Sequence, residues 1–464
     1  MPIDGERVLS TTESVCPECL VRIPARRVMR DGDVYLSKTC PEHGQFQVVV
    51  WRGEPDYLSW VRHKIPAYPQ NPFTAVERGC PFDCGLCPEH RQHTCTALLE
   101  VTQRCDLSCA FCFARSGSAA GPDPDLDVIE GWYRRLLDAG GPFNVQLSGG
   151  EPCVRDDLPD IVALGRSLGF DFIQVNTNGL RFVRDPNYAR RLRDAGLASV
   201  FLQFDGTENR IYESLRGRRL LADKCAAIER CAEHGLGVIL VPTLVPGVNT
   251  DNVGDIVLFA LEQLPAVRGV HFQPLSYFGR YPHSPQDGDR VTIPEVIRAL
   301  EEQTEGLVSR QTFKPSSCEN ATCSFHGNFV LMPDGSLQSW TQHRAESSCC
   351  CQPEPAEEGA ARTREFTARY WSHPQAGKPA AEANPAPPGQ GPSLGGWDVL
   401  LARARTHTFT ISGMAFQDAW TLDLERLRDC CIHTVSPEGS IIPFCAYNLT
   451  SCRGHGLYRR AADT

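Results

Sequence analysis

Short apolar strands alternate with amphipathic helices through the middle of this chain, and the alternation limits the folds open to it. The alternation predicts strands at 96–103, 143–147, 172–176, 200–204, 237–245 and 269–274, and helices at 127–139, 158–168, 188–195, 222–234 and 253–263. Such a pattern forms right-handed βαβ units around a parallel sheet or barrel. Because there are six units rather than the eight of a complete barrel, we predict an α/β fold, a partial (β/α)6 barrel.

Charge and composition exclude several classes of protein. A net charge of -10 argues against a protein that tracks a nucleic-acid backbone, which would be basic. The N-terminal residues contain no apolar signal-peptide core, and the longest apolar stretch, 238–245, is too short to span a bilayer. We therefore expect a cytoplasmic protein whose 22 cysteines are thiols and metal ligands, rather than a secreted disulfide protein.

Two cysteine runs share the spacing C-x3-C-x2-C. One comprises Cys105, Cys109 and Cys112 and follows the first predicted strand. Three thiolates can hold three irons of a 4Fe–4S cluster and leave the fourth iron open for a small molecule. The other run is the triplet Cys80, Cys84 and Cys87. Cys95 is its predicted fourth ligand, with His90 or His93 as alternatives. A closed fourth position makes this cluster an electron relay, and an open one makes it a second reactive centre.

Further cysteines predict two more metal sites, one near each terminus. Cys16, Cys19, Cys40 and His43 form short-spaced ligand pairs that suit one tetrahedral ion, either zinc or a rubredoxin-like iron. For a C-terminal cluster we predict Cys318, Cys323, Cys431 and Cys445, with Cys430 or one of Cys349–Cys351 as replacements. Cys153, Cys225 and Cys231 are interpreted as ordinary thiols.

The chain divides into four predicted parts. A metal knuckle occupies 1–65, an iron–sulfur segment 66–97, the partial barrel 98–310 and a C-terminal auxiliary-cluster domain 311–464. Residues 353–392 are rich in Ala, Pro, Glu and Gly, and this composition predicts a flexible insertion. The sequence near 363–371 is compatible with a short helix inside this insertion.

At Cys105–Cys112 the sequence, CDLSCAFC, resembles the radical S-adenosylmethionine (SAM) superfamily. The resemblance continues at the sequence Gly-Gly-Glu-Pro of residues 149–152. It implies that the cysteine run binds a 4Fe–4S cluster whose open iron is chelated by SAM. It also implies cofactor-binding roles for Phe111, Gly149, Gly150, Glu151, Pro152, Asn176, Asn178, Gln203 and Asp205. Of these, Phe111 is expected beside the adenine and Glu151 at the SAM ammonium group.

A narrower resemblance covers nearly the whole chain. The runs CPEHG, GCPFDCGLCPEH and CCIHTVSPEGSIIPFCAYN are similar to a radical SAM subgroup that contains an archaeal tetraether lipid synthase and an archaeal pterin methylase. This resemblance implies two or three 4Fe–4S clusters, a mononuclear iron or zinc, and an external electron donor such as flavodoxin or ferredoxin. It implies that SAM is reductively cleaved to a 5′-deoxyadenosyl radical. That radical would lead to methylation or C–C coupling at an unactivated carbon of a pterin-like or lipid-like substrate.

Two alternatives stay open at this stage. One is a radical SAM enzyme with auxiliary clusters that modifies a peptide or natural product. The other is a non-catalytic electron-transfer iron–sulfur protein, although a pure relay has no need of the Gly-Gly-Glu-Pro sequence. Peripheral contact with a membrane is also left open, since a lipid substrate would require it, whereas nucleic acid is not an expected partner.

Overall fold

The N-terminal segment forms an antiparallel sheet in the computed structural model, which describes residues 6–117, 121–342, 353–374 and 396–459. Its strands are β1 (Arg7–Val15), β2 (Arg22–Arg30), β3 (Asp33–Cys40) and β4 (Gly44–Arg52), paired in chain order. Asp31 and Gly32, both with positive φ, form the two-residue turn between β2 and β3. A short strand, β5 (Lys64–Ile65), follows. The other two turns of the sheet carry the predicted metal ligands.

The six predicted central strands are present and parallel. They are β6 (Thr96–Thr102), β7 (Asn144–Gly149), β8 (Ile173–Thr177), β9 (Ser199–Gln203), β10 (Gly237–Val241) and, after the short β11 (Thr243–Leu244), β12 (Val267–Pro274). Neighbours in the chain are neighbours in the sheet, as βαβ units require. The first four strands, β6 to β9, lead into the residues singled out in the sequence, which are Cys105–Cys112, Gly149–Pro152, Asn176–Asn178 and Gln203–Asp205.

The helices of the βαβ units pack on one side of these strands. They are α1 (Leu126–Asp138), α2 (Leu158–Ser167), α3 (Leu180–Arg184), α4 (Tyr188–Asp194), α5 (Asn209–Arg216), α6 (Leu221–Glu233), α7 (Val253–Glu262) and α8 (Ile293–Gln303). In α1 the Asp125 side chain caps the first turn by accepting from Val128 N, and the buried residues Ile129, Trp132 and Leu136 recur at helical spacing. That apolar stripe fixes which face of α1 meets the sheet.

The C-terminal strands extend the same sheet at both edges. The elements are β13 (Ser324–Leu331), β14 (Leu337–Ser339), β15 (Glu354–Pro355), α9 (Ala356–Tyr370), α10 (Gly396–Thr406), β16 (Thr408–Met414), α11 (Leu424–Arg428), β17 (Ile432–Val435), β18 (Ile441–Pro443) and α12 (Phe444–Tyr447). The strand order is β14-β13-β16-β12-β10-β9-β8-β7-β6-β17-β18. This mixed sheet is not closed, which confirms the partial barrel, while the division into four domains stays a prediction.

Helix α9 lies in the segment predicted to be a flexible insertion, and it extends the helical piece expected near 363–371. The Arg364 carbonyl accepts from Asn144 Nδ2 at 3.2 Å, and its guanidinium donates to the Thr94 carbonyl at 2.9 Å. Arg268 Nε donates to the Tyr370 carbonyl at 3.0 Å. These partners stand at the amino ends of β6, β7 and β12, so α9 covers that end of the sheet. Ala, Glu and Arg are helix formers, which explains how this composition forms a helix. Residues 375–392 and Cys349–Cys351 lie outside the described residues.

Membrane insertion through a helix has no support in the described ranges. None of the helices there has the length and apolar character needed to cross a bilayer.

Candidate active site and metal centres

A large cavity of about 710 Å³ runs along the inner face of the central strands. Cys105, Cys109 and Cys112 line it at the carboxyl ends of the strands, and Tyr370 and Trp371 line it at the opposite end, where α9 finishes. Its volume lies within the range of small-molecule sites. The cavity therefore joins the predicted SAM region to a closed aromatic floor.

The three cysteines after β6 stand on a loop that is held from several directions. Cys112 and Arg280 exchange two backbone hydrogen bonds of 2.9 Å, and Arg280 Nε donates to the Cys109 carbonyl at 3.0 Å. All three cysteines are half-buried. Phe111, in the same loop, lines the cavity and packs edge-on against Tyr277 with ring centroids 6.2 Å apart. The loop thus presents three thiols and one aromatic ring to a single space.

Gly149 and Gly150 are required by the close approach of two loops. Gly149 has a φ of +118°, and a Cβ there would lie 2.1 Å from the Thr102 carbonyl oxygen. A Cβ on Gly150 would lie 2.2 Å from the Arg104 carbonyl oxygen. These glycines therefore fit the second strand-end loop against the segment that leads into Cys105. Pro152 follows in a buried 3₁₀ turn, Pro152–Val154.

Glu151 is buried at the wall of the cavity and is surrounded by donors. Its carboxylate accepts from Cys153 N at 3.0 Å, from Thr177 Oγ1 at 2.7 Å and from Asn178 N at 2.7 Å. Burial nevertheless raises the pKa of Glu151 above its usual value, because these bonds only partly offset desolvation. Lys224 interacts with this carboxylate electrostatically, but no ion pair to Glu151 occurs among the described residues, so the buried carboxylate can accept an ammonium group from a ligand.

Asp205 does not line the cavity, contrary to the contact with SAM implied by the resemblance. It is fully buried, and its carboxylate accepts from Arg216 Nε at 2.7 Å and from Arg216 Nη2 at 2.6 Å. Arg216 does line the cavity. Burial opposes its charge, but Asp205 and the Cys109 thiol together raise its pKa. Asp205 therefore acts by holding Arg216 beside the cysteine loop.

The structure reveals a second buried cation, Lys224, which the sequence analysis did not single out. Its ammonium donates to the Asn178 carbonyl at 2.5 Å and lies 3.4 Å from Gln203 Oε1. Burial lowers the pKa of Lys224 to about 8. Asn178 also donates from Nδ2 to Asp106 Oδ1 at 2.7 Å, which links the end of β8 to the cysteine loop. Lys224 lies on a helix and belongs to no recognisable sequence motif. Its role at the site can therefore be recognised only from its position near Asp205 and Asn178.

Side-chain amides form a row on the inner wall of the cavity. Gln146 donates to Gln174 Oε1 at 2.8 Å, and Asn176 donates from Nδ2 to Gln146 Oε1 at 3.3 Å. Asn176 Oδ1 is buried without a hydrogen-bond partner. A polar ligand in the cavity would supply the missing donor.

The opposite end of the cavity is aromatic. Phe201 and Trp371 stack with ring centroids 5.9 Å apart and an angle of 20° between their planes. His271 lies 5.5 Å from Phe201 and shares a 2.9 Å hydrogen bond with Ser412 Oγ. Burial lowers the pKa of His271 to about 4, so the ring is neutral at physiological pH. Phe201 and Trp371 therefore offer a flat aromatic face beside a neutral imidazole, while charged residues of α9, among them Glu365 and Arg369, also line the cavity.

The four predicted ligands of the N-terminal knuckle come together. Their ligand atoms, one each from Cys16, Cys19, Cys40 and His43, all lie within 4.8 Å of one another. His43 Nδ1 is 3.5 Å from Cys40 Sγ and 3.7 Å from Cys16 Sγ. A closed set of four soft ligands in two turns fits a structural tetrahedral ion.

Cys95 does not join the Cys80 triplet, and the prediction that it closes that cluster is wrong. Its thiol lies with those of Cys318 and Cys431, all within 4.8 Å of one another and all buried. The cause is the parallel pairing of β17 with β6, in which Ile432 stands opposite Thr96. This register places Cys431 beside Cys95, and Cys95 N donates to the Cys431 carbonyl at 2.8 Å.

The predicted C-terminal ligand set is divided by the structure. Cys318 and Cys431 stand with Cys95, whereas Cys323 and Cys445 do not belong to that group. Cys323 Sγ accepts from Arg426 at 3.4 Å, and Cys445 Sγ accepts from Gln417 N at 3.2 Å. The prediction of one cluster from all four residues is therefore wrong: Cys318 and Cys431 meet Cys95, whereas the Cys445 thiol lies near that of Cys323.

Comparison with known proteins agrees with this architecture. Residues 8–52 match the HMPTM N-terminal zinc ribbon domain, and residues 99–260 match the radical SAM superfamily. The chain is 34% identical over 471 residues to 7,8-dihydro-6-hydroxymethylpterin dimethyltransferase of Methanocaldococcus jannaschii, covering 94% of this chain and 93% of that protein.

More distant relatives cover a smaller share of the chain. The probable GTP 3′,8-cyclase of Methanothermobacter marburgensis is 31% identical over 175 residues, covering 38% of this chain and 56% of that protein. The solved structure of Streptococcus suis SuiB bound to S-adenosylmethionine is 16% identical with a TM-score of 0.35, covering 42% of each chain. From the match along almost its whole length, the chain belongs to the radical SAM enzymes of the 7,8-dihydro-6-hydroxymethylpterin dimethyltransferase family.

Proposed function

We propose that this enzyme carries out SAM-dependent methylation of a carbon on a pterin-like compound. The observation that carries the proposal is the lining of the cavity, which combines the amides of Gln146, Gln174 and Asn176 with the stacked rings of Phe201 and Trp371. A lipid-joining enzyme needs a long apolar channel, and a wall of side-chain amides does not fit one. The name of the relative that matches over almost the whole chain supports a pterin as the substrate.

The residues around the cysteine loop fit a 4Fe–4S cluster with bound SAM. Cys105, Cys109 and Cys112 would hold the cluster, and Glu151, whose carboxylate makes no ion pair within the described residues, would accept the SAM ammonium. When bound, the reduced cluster and SAM supply the one-electron chemistry that activates an otherwise inert C–H bond. Arg216, held by Asp205, places positive charge beside Cys109.

The other end of the cavity would orient the substrate. A pterin is a flat heterocycle with an edge of amide-like donors and acceptors. Phe201 and Trp371 offer a face for stacking, and Gln146, Gln174 and Asn176 offer hydrogen bonds. Because radical chemistry attacks any C–H bond in reach, the chain must also exclude water and hold the target carbon in contact. Helix α9 serves this purpose by sealing the floor.

Two further clusters and one structural ion complete the proposed metal content. Cys80, Cys84 and Cys87 would hold one cluster, and Cys95, Cys318 and Cys431 another. For the N-terminal site we propose zinc, since four closed ligands and the zinc ribbon match favour a structural ion. The reducing electrons would come from an external donor such as flavodoxin or ferredoxin.

The proposal is tested by an anaerobic reaction of the reconstituted enzyme with SAM, a reductant and a 7,8-dihydropterin. The reaction also contains a one-carbon donor. Mass spectrometry should then find 5′-deoxyadenosine and a pterin that has gained methyl groups. The same reaction with an isoprenoid lipid in place of the pterin should yield no modified lipid. Lipid coupling in that control, with an unmodified pterin, would overturn the substrate assignment.

A further inference from the structure

The Cys80 triplet faces a small cavity of its own, separate from the large one. Cys80, Cys84 and Cys87 line this cavity together with His90 and Arg428. With Cys95 placed elsewhere, the triplet lacks the fourth cysteine that the sequence analysis expected. Among the residues that the structure describes, no further cysteine lines this space.

His90 stands at this cavity in a fixed position. Its backbone N donates to the Cys87 carbonyl at 3.0 Å, so a tight turn connects it to the last cysteine of the triplet. The side chain is 5% exposed. The His90 ring also packs edge-on against His433, with centroids 5.0 Å apart. Because the buried His90 ring is held on two sides, its orientation is fixed.

The hydrogen bonds of His90 establish which nitrogen carries the proton. Nε2 lies 2.8 Å from the Cys430 carbonyl oxygen, which can only accept, so Nε2 is the donor. His433 Nε2 lies 3.3 Å from His90 Nε2 and must also accept, because His90 Nε2 carries the proton. His433 is therefore protonated at Nδ1, which donates to Thr94 Oγ1 at 3.2 Å. A neutral imidazole protonated at Nε2 has a free lone pair on Nδ1. No hydrogen bond to Nδ1 occurs within the described part of the chain.

We propose that His90 binds the fourth iron of the Cys80, Cys84 and Cys87 cluster through Nδ1. Histidines that bind metals usually donate their other N–H to a carbonyl or carboxylate, which is the arrangement found between Nε2 and Cys430. The inference rests on the cluster assigned to this triplet under the proposed function. With His90 bound, each of the four irons in that cluster has a protein ligand. The cluster then transfers electrons and binds no substrate.

Histidine ligation has two consequences for electron transfer. An imidazole in place of a thiolate removes one negative charge, which raises the reduction potential of a cluster. His90 Nε2 donates a hydrogen bond to the Cys430 carbonyl. This carbonyl belongs to the peptide bond between Cys430 and Cys431, and Cys431 is a member of the second cysteine group. A short bonded path therefore joins the two proposed clusters. Arg428, at the same cavity, adds positive charge beside Cys80.

The test is pulsed electron paramagnetic resonance of the reduced, reconstituted full chain without SAM. Protein labelled with ¹⁵N only in histidine should show the coupling of a directly bound histidine nitrogen. The coupling should vanish in His90→Ala and in His90→Cys. It should persist in the matched control His93→Ala, whose ring is partly exposed and lies near Glu357. His90→Cys should keep the full iron content and lower the midpoint potential of one cluster.

Other outcomes overturn the proposal and separate it from the function. Histidine coupling that survives in His90→Ala, or its absence in wild-type protein with a full iron content, would refute the assignment of His90. Loss of iron on replacing Cys349–Cys351 by serine, with no histidine coupling, would assign the fourth ligand there instead. If Cys84→Ala loses no iron, the triplet holds no cluster and this part of the proposed metal content fails, while SAM cleavage can still be intact.

Discussion

Cys95 N donates a 2.8 Å hydrogen bond to the Cys431 carbonyl, and this bond joins a cysteine before the first barrel strand to one before β17. Cys105 follows the other end of the same strand, β6. Cys95 and Cys105 both line the large cavity. The cavity therefore has candidate metal ligands at both ends, separated by the length of one strand.

Replacing Cys95 or Cys431 with alanine should remove the iron of one cluster. Three buried thiols meet at this point, and the loss of one leaves too few ligands to hold a cluster. Iron and acid-labile sulfide analysis of each variant checks this. Cys225→Ala, on helix α6 and away from both cysteine groups, is the matched control and should retain all its iron. An unchanged iron content in Cys431→Ala would contradict the assignment.

Glu151→Gln should weaken SAM binding by roughly 10- to 150-fold, because a hydrogen bond to a charged group contributes about 1.5–3 kcal/mol. Anaerobic calorimetry with SAM measures this loss, and Glu130→Gln, on the surface of α1, serves as the control. Equal affinity in Glu151→Gln and the wild type would exclude the carboxylate as the ammonium partner.

SAM binding should also depend on pH through Glu151. Burial raises the pKa of this carboxyl, so without SAM it takes up a proton at a higher pH than an exposed glutamate. The ammonium of SAM requires the charged form. Affinity should therefore fall as the pH decreases through the raised pKa, and Glu151→Gln should remove this dependence. A wild-type profile that matches the variant would contradict the prediction.

Trp371→Ala should uncouple SAM cleavage from substrate modification. The indole stacks on Phe201 and closes the floor of the cavity, so its loss removes a stacking surface and admits water. We expect KM for the pterin to rise about tenfold or more, given the usual contribution of buried aromatic side chains. The ratio of 5′-deoxyadenosine to methylated product should increase, and Trp371→Phe should restore most of the coupling. An unchanged ratio in Trp371→Ala would show that the floor does not hold the substrate.

Cys40→Ser should release the ion of the N-terminal site and lower the thermal stability of the chain. The sheet that carries the ligands is tied to the C-terminal region by Arg27, whose guanidinium donates twice to Asp423 at 2.6 and 2.8 Å. Loosening the ribbon therefore weakens contacts beyond it. Metal analysis should find one zinc fewer per chain, and a thermal melt should show the loss of stability. Iron in place of zinc in the wild type would refute the proposed ion but not the site.

The order of the central strands could be predicted because the pattern that encodes them is local. Each strand is a short apolar run followed by a polar loop, and parallel pairing between neighbours follows from βαβ geometry. The loop that contains Gly149 and Gly150 was also located correctly, although its glycines serve the close approach to Thr102 and Arg104.

Features that depend on distant pairing could not be predicted from the sequence. Cys95 was assigned to the nearest triplet along the chain, whereas the register of β17 on β6 places it beside Cys431. Helix α9 was taken for an insertion because its composition resembles a linker. Its role becomes visible only when Arg364 is seen against the starts of β6 and β7. Asp205 was taken for a ligand contact because nothing in the sequence links it to Arg216.

We propose that the loop of Cys105, Cys109 and Cys112 generates the radical that acts on a pterin substrate. The most direct measurement is the amount of 5′-deoxyadenosine formed anaerobically from SAM and reductant, with and without a 7,8-dihydropterin, in wild-type enzyme and in Cys109→Ala. Wild-type enzyme should form it faster when the pterin is present, and Cys109→Ala should form none while keeping the iron of its other clusters. Equal formation by Cys109→Ala, or none by wild-type enzyme with verified clusters, would contradict this account.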